Sequence, residues 1–122
     1  MISHVKFVSI PTTDQDRALA FYTEKLGFKL ESDNAFDGKQ RWIELSIGDS
    51  DTSFVLFTPP GHEDRIGSFF NGALACEDVN QTYLELKEKG VEFMGEPKQE
   101  PWGTFAMFKD PDGNQFVLST SK

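Results

Sequence analysis

Glu44 is the side chain whose type and setting suit chemistry best. It stands in the segment Trp42-Ile43-Glu44-Leu45-Ser46-Ile47, where apolar and polar residues alternate. In an extended strand that alternation turns Ile43, Leu45 and Ile47 to one face and Trp42, Glu44 and Ser46 to the other. A carboxylate beside an indole on a concave face can serve as counter-charge to a cationic ligand, or as a general base with a raised pKa. A solvated edge position, or pairing with a nearby Lys or Arg, is the commoner fate of such a residue. Trp42 and Trp102 suit stacking on a flat ligand, and equally suit packing at a dimer contact. The two histidines, His4 and His62, are isolated in the sequence, and one imidazole cannot complete a metal site. Cys76 alternates toward the side of its strand that a helix would cover and has no activating histidine, so it reads as core.

The bulk properties bound what these residues serve. A chain of 122 residues has room for one domain, here taken as 1–122. A net charge of -8 and a pI near 4.6 repel polyanions, which excludes a nucleic-acid role. No apolar stretch is long enough to span a bilayer, and the start MISHVKFVSI does not read as a signal peptide. With its one cysteine unable to form an internal disulfide, the chain is expected in a reducing cytoplasm. Phenylalanine occurs 12 times, enough to fill a small core and leave rings to line a pocket.

The elements that must position these side chains come in the same order twice. Val5–Ile10 reads as a strand, Asp14 as the cap of a helix burying Ala18, Phe21, Tyr22 and Leu26, and Gly27 as its stop. Short strands follow over Phe28–Glu31, Trp42–Ile47 and Ser53–Thr58, with residues 32–40 as connection and Pro59-Pro60-Gly61 as terminator. The order recurs with a strand over Phe69–Cys76 and a helix capped by Asp78, with Gln81 completing a capping box. Val79, Tyr83 and Leu86 form its buried stripe, and Gly90 stops it. An extended piece at Phe93, a strand over Thr104–Phe108, the turn DPDGN and a strand over Phe116–Leu118 complete the second passage. The helix stops lie 63 residues apart, Gly27 to Gly90, a repeat signal. The reading is an α+β fold of two βαβββ repeats, 1–61 and 67–122, whose sheets pair edge to edge into one cupped mixed sheet around a small-molecule cleft.

DQDRALAFYTEKLGF in the first repeat, and WG followed by FKDPDGNQFVLS in the second, resemble the vicinal oxygen chelate superfamily. That group includes glyoxalase I, bleomycin-resistance proteins and extradiol dioxygenases, and the likeness covers nearly the whole chain. Its metal-dependent members bind a divalent cation through His or Glu at four positions. The resemblance carries these onto Phe7, Leu56, Asn71 and Val117. Three of those side chains have no donor atom and the fourth offers only an amide, so no metal and no cofactor are expected. The cleft is then expected to hold its ligand through Phe7, Ser9, Trp42, Glu44, Phe54, Leu56, Asn71, Trp102, Phe105 and Val117, with Glu44 the candidate for any catalysis. The leading expectation is a binding protein for a cationic or aromatic small molecule, working as a homodimer. A metal-dependent lyase or isomerase resembling lactoylglutathione lyase, and a dimerising module without catalysis, are the alternatives.

Overall fold

Each repeat opens on an apolar strand and caps its helix with an aspartate, and the computed structural model, which describes residues 1–68 and 71–120, folds the two alike. The first consists of β1 (Phe7–Ile10), α1 (Gln15–Ala20), β2 (Lys29–Ala35), β3 (Arg41–Ser46) and β4 (Ser53–Leu56). The second consists of β5 (Asn71–Cys76), α2 (Val79–Glu88), β6 (Glu92–Phe93), β7 (Lys98–Glu100), β8 (Gly103–Lys109) and β9 (Gln115–Thr120). The strands form two mixed sheets in the orders β1-β4-β3-β2 and β5-β9-β8-β6, with β7 also on β8. The β1–β4 and β5–β9 pairs are parallel and the others antiparallel. Together β6 and β7 take the place that β2 holds in the first sheet, interrupted by Gly95 and Pro97.

Asp14 accepts the Arg17 N–H at 3.0 Å, and Asp78 accepts the Gln81 N–H at 3.0 Å, so both helices start where an aspartate satisfies an orphan donor. The expected capping box at Asp78 is half made, because the Gln81 amide donates onward to Glu85 at 3.0 Å. After Ala20 the helix widens into a π turn over Phe21–Lys25, where the Leu26 N–H bonds the Phe21 carbonyl at 3.2 Å. Both helices stop at a glycine with positive φ, Gly27 at +79° and Gly90 at +95°.

Several boundaries depart from the sequence reading. The first strand begins at Phe7, and β2 runs on to Ala35 through residues assigned to a connection. Glu31-Ser32-Asp33-Asn34 is polar because β2 is an edge strand exposed along most of its length; its pairing with β3, rather than an apolar stripe, makes it a strand. The exposed Lys98-Gln99-Glu100 of β7 escaped notice for the same reason. Phe69 and Phe70, the expected start of β5, lie outside the described residues.

One buried cluster joins the repeats. Ile10, Ile43, Leu45 and Leu56 of the first, and Phe108 and Phe116 of the second, are fully buried in it. Phe54 stacks on Phe116 at 6.0 Å between centroids, and Tyr22 meets both rings edge-on at 6.0 and 6.1 Å. Phe54 and Leu56, expected on the concave face, therefore face the helices. Every residue of Phe54-Val55-Leu56-Phe57 is apolar, so alternation alone leaves the parity open. The register decides it: Val55 pairs with Ser9 on one side and Glu44 on the other, and so shares the outward face with them. Edge-to-edge pairing was also expected between the sheets. Among the described residues no strand ladder joins them, and the shared core holds them instead.

A polar joint crosses the same seam. Tyr22 Oη donates to Asp110 Oδ2 at 2.7 Å. Asp112 accepts from the hydroxyl of Thr12, from the hydroxyl and N–H of Thr13 at 2.6 and 3.0 Å, and from Arg17 at 3.0 Å. The Gly67 N–H donates to Asn114 Oδ1 at 3.0 Å, with φ +90° and so little room that a Cβ there would lie 2.7 Å from the Asp112 carbonyl oxygen. The DPDGN turn, read from sequence as a hairpin turn, thus also ties the second repeat to the first. Burial works to raise the Asp112 carboxyl, but the hydrogen bonds from Thr12 and Thr13 and the Arg17 charge outweigh it and hold the group below the usual carboxylate range. A carboxyl depressed by folding contributes stability above its unfolded pKa, about 3.9, and loses that contribution as pH falls through the folded value. The urea midpoint of Asp112→Asn should lie below wild type at pH 7, with the gap closing toward pH 3. A gap of equal size at both pH values would contradict this.

Candidate functional site

The outward face of the first sheet gathers rings. Along β3, Ile43 and Leu45 turn into the core, which sends Trp42 and Glu44 the other way. The indole of Trp42 meets Phe7 edge-on at 5.3 Å, Phe57 at 5.4 Å and Phe36 at 5.7 Å, and Phe36 meets Phe57 at 5.0 Å. These separations fall in the range where edge and tilted ring pairs attract. Phe57 is buried, whereas Phe7 is 36% and Phe36 is 60% exposed, so the cluster presents open ring surface. Val55, in the row between Ser9 and Glu44, is completely covered.

Glu44 lies half-buried on this face and accepts Trp42 Nε1–H at 3.2 Å. Among the described residues no ion pair engages it. The neighbouring cation, Arg41, is committed to Asp16 at 2.9 Å and to Asp33 at 3.0 Å. A second carboxylate, Glu31, accepts from Ser46 Oγ at 2.7 Å in the next strand, so negative charge borders the rings on that side. Phe36 sits at the start of a tight β2–β3 turn. The N–H groups of Gln40 and Lys39 hold Asp37 in that turn below the usual carboxylate range.

The second sheet carries a smaller apolar face. Trp102, 61% exposed, stacks on Phe105 at 5.4 Å and 26°. Phe105 pairs with Ser119, and Met107 with Val117, which pairs in turn with Ala73. Asn71 pairs with Gln115 in the same ladder; its side chain lies outside the described residues. Of the residues named from sequence, the structure brings together Phe7, Ser9, Trp42 and Glu44 on one sheet and Trp102, Phe105 and Val117 on the other. Among the described residues no ring contact joins the two groups. Sequence reasoning missed Phe57 and Phe36. Phe57 follows from the parity of Val55 once the β1–β4 register is known, and Phe36 was hidden in a stretch read as a connection.

A cation site of the kind the resemblance implies needs converging donors. Phe7, Leu56 and Val117 have none, and Leu56 also faces away from Phe7, into the core. Among the described residues no group of three or more His, Cys, Asp or Glu side chains stands close enough to hold a metal. His4 is exposed, its Nδ1 2.9 Å from Ser3 Oγ. The residues at these positions do not fit the metal.

A family model of the Glyoxalase/Bleomycin resistance protein/Dioxygenase superfamily matches residues 2–118. The chain belongs to this superfamily. Among superfamily relatives, YetH of Bacillus subtilis (strain 168) is 38% identical over 97% of this chain and 98% of its own. The crystal structure of TnmS3, an antibiotic binding protein from Streptomyces sp. CB03234, superposes with a TM-score of 0.86 at 40% identity, covering 99% of this chain and 98% of that one. A probable chloroplastic lactoylglutathione lyase of Arabidopsis thaliana is 32% identical over 86% of this chain but only 32% of its own length. No helix of the described residues is long and apolar enough to cross a membrane.

Proposed function

We propose that this protein binds a flat aromatic or cationic small molecule on the Trp42 face, without a metal ion. The observation that carries the reading is Glu44, a half-buried carboxylate set among rings, with the Trp42 indole as hydrogen-bond donor and no ion pair among the described residues. Rings attract a cation through their faces, and a partly desolvated carboxylate supplies the matching charge. The likeness to an antibiotic binding protein supports the same reading. The lyase alternative draws on the plant relative, but would need donors that Phe7, Leu56 and Val117 lack.

The test uses two fluorescent tricycles, proflavine as the cation and acridone as the neutral counterpart. Glu44→Gln should weaken proflavine about tenfold, or ~1.4 kcal/mol, and leave acridone within about twofold. Equal affinity of proflavine for both proteins would remove Glu44 from the site.

The ring faces also support a homodimer. Phe7 and Phe36 on one sheet and Trp102 on the other are open apolar surface, and a twofold axis would set the first face of each copy against the second face of its partner, closing two equivalent clefts. Sedimentation equilibrium should then give twice the chain mass of 13.8 kDa. A monomer at tens of micromolar would count against it. The free, half-buried Cys76 agrees with a cytoplasmic setting, and the chain is taken to act as one domain over 1–122.

A further inference from the structure

An apolar pocket, half open to solvent, lies away from the ring face, on the helix side of the seam between the repeats. Leu26, Phe28 and Ile47 reach it from the first repeat, and Leu74, Leu86 and Phe108 from the second. Its volume is about 200 Å³, and no charged residue lines it. The polar side chains in its wall are the Cys76 thiol and the Thr82 hydroxyl. The wall offers water few hydrogen-bond partners, so water lying against it is readily displaced by an apolar guest. An apolar cavity of about 150 Å³ accepts benzene, so this pocket, half open to solvent, has room for one or two fused rings.

We infer that this cavity is a second binding site, selective for a small uncharged aromatic molecule and separate from the Trp42 face. Size limits the occupant, since drug-sized ligands fill pockets of roughly 300 Å³ upward. The wall disfavours charge, because an ion there would lose part of its hydration and find no charged partner. The half-buried ring of Phe28 favours an aromatic guest through stacked or edge contacts. As the walls come from both repeats, an occupant bridges them and stabilises the folded chain by mass action.

Cys76, the sole thiol, stands in the wall and reports on occupancy. Indole near its solubility limit should slow alkylation of Cys76 by N-ethylmaleimide at least threefold and raise the melting temperature. Both effects should persist in Trp42→Ala. In the Trp42→Ala background, filling the space with Cys76→Phe, or with the smaller Cys76→Leu if the first fails to fold, should abolish the rise in melting temperature. Unchanged alkylation with indole present, protection lost in Trp42→Ala, or a full thermal shift in the filled variant would each overturn the assignment.

Discussion

Asp110→Ala should lower the melting temperature by about 10–20 °C, the largest stability loss expected of any single substitution at the seam. The Asp110 carboxylate is almost fully buried and accepts four hydrogen bonds: from Tyr22 Oη at 2.7 Å, the Asn114 N–H at 2.8 Å, Asn114 Nδ2 at 2.9 Å and the Asp112 N–H at 3.0 Å. Tyr22 and Asn114 are themselves fully buried, so water cannot readily replace the lost acceptor. Stranded buried donors cost about 1–3 kcal/mol each, and partial relaxation brings the expected total to about 3–5 kcal/mol. Burial, and then the Asp110 charge, push the Tyr22 hydroxyl well above its ordinary pKa, which keeps it protonated as a donor. Asp110→Asn, which keeps one acceptor oxygen, should fall between alanine and wild type. Thermal unfolding followed by circular dichroism measures all three. A loss below about 1 kcal/mol in Asp110→Ala would show that the joint is solvated.

Trp42→Ala should weaken proflavine and acridone alike, by about 10–100-fold. The indole touches Phe7, Phe36 and Phe57 and donates to Glu44, so its removal takes away the stacking surface and frees the carboxylate to move. Central aromatic anchors in binding sites are commonly worth ~2 kcal/mol or more on truncation. The contrast with Glu44→Gln is the informative part, because loss of the ring should act on both ligands and loss of the charge on the cation only. Trp42→Phe should recover much of the acridone affinity. If alanine at position 42 leaves both affinities within twofold of wild type, the ligand sits elsewhere.

The repeat was legible because helices and their stops announce themselves locally. Asp14 and Asp78 act as caps, Gly27 and Gly90 end the helices, and Val79, Tyr83 and Leu86 are buried as their spacing requires. Trp42 and Glu44 were legible because β3 alternates cleanly. Phe54 and Leu56 were not, since an unbroken apolar run carries no parity and only pairing with β1 and β3 supplies it. The polar edge strands β2 and β7 lack the pattern that marks a half-buried strand, and Phe36 was lost with them. The Asp110 and Asp112 joint spans about 90 to 100 residues of sequence, a distance at which no local spacing rule operates.

The most direct measurement is a proflavine titration of the protein before and after exhaustive dialysis against EDTA, with the metal content of both samples determined. The stripped protein should bind with unchanged affinity, and adding nickel, zinc or manganese should not alter it. Binding that disappears on stripping and returns with one of these ions would contradict metal-independent recognition on the Trp42–Glu44 face.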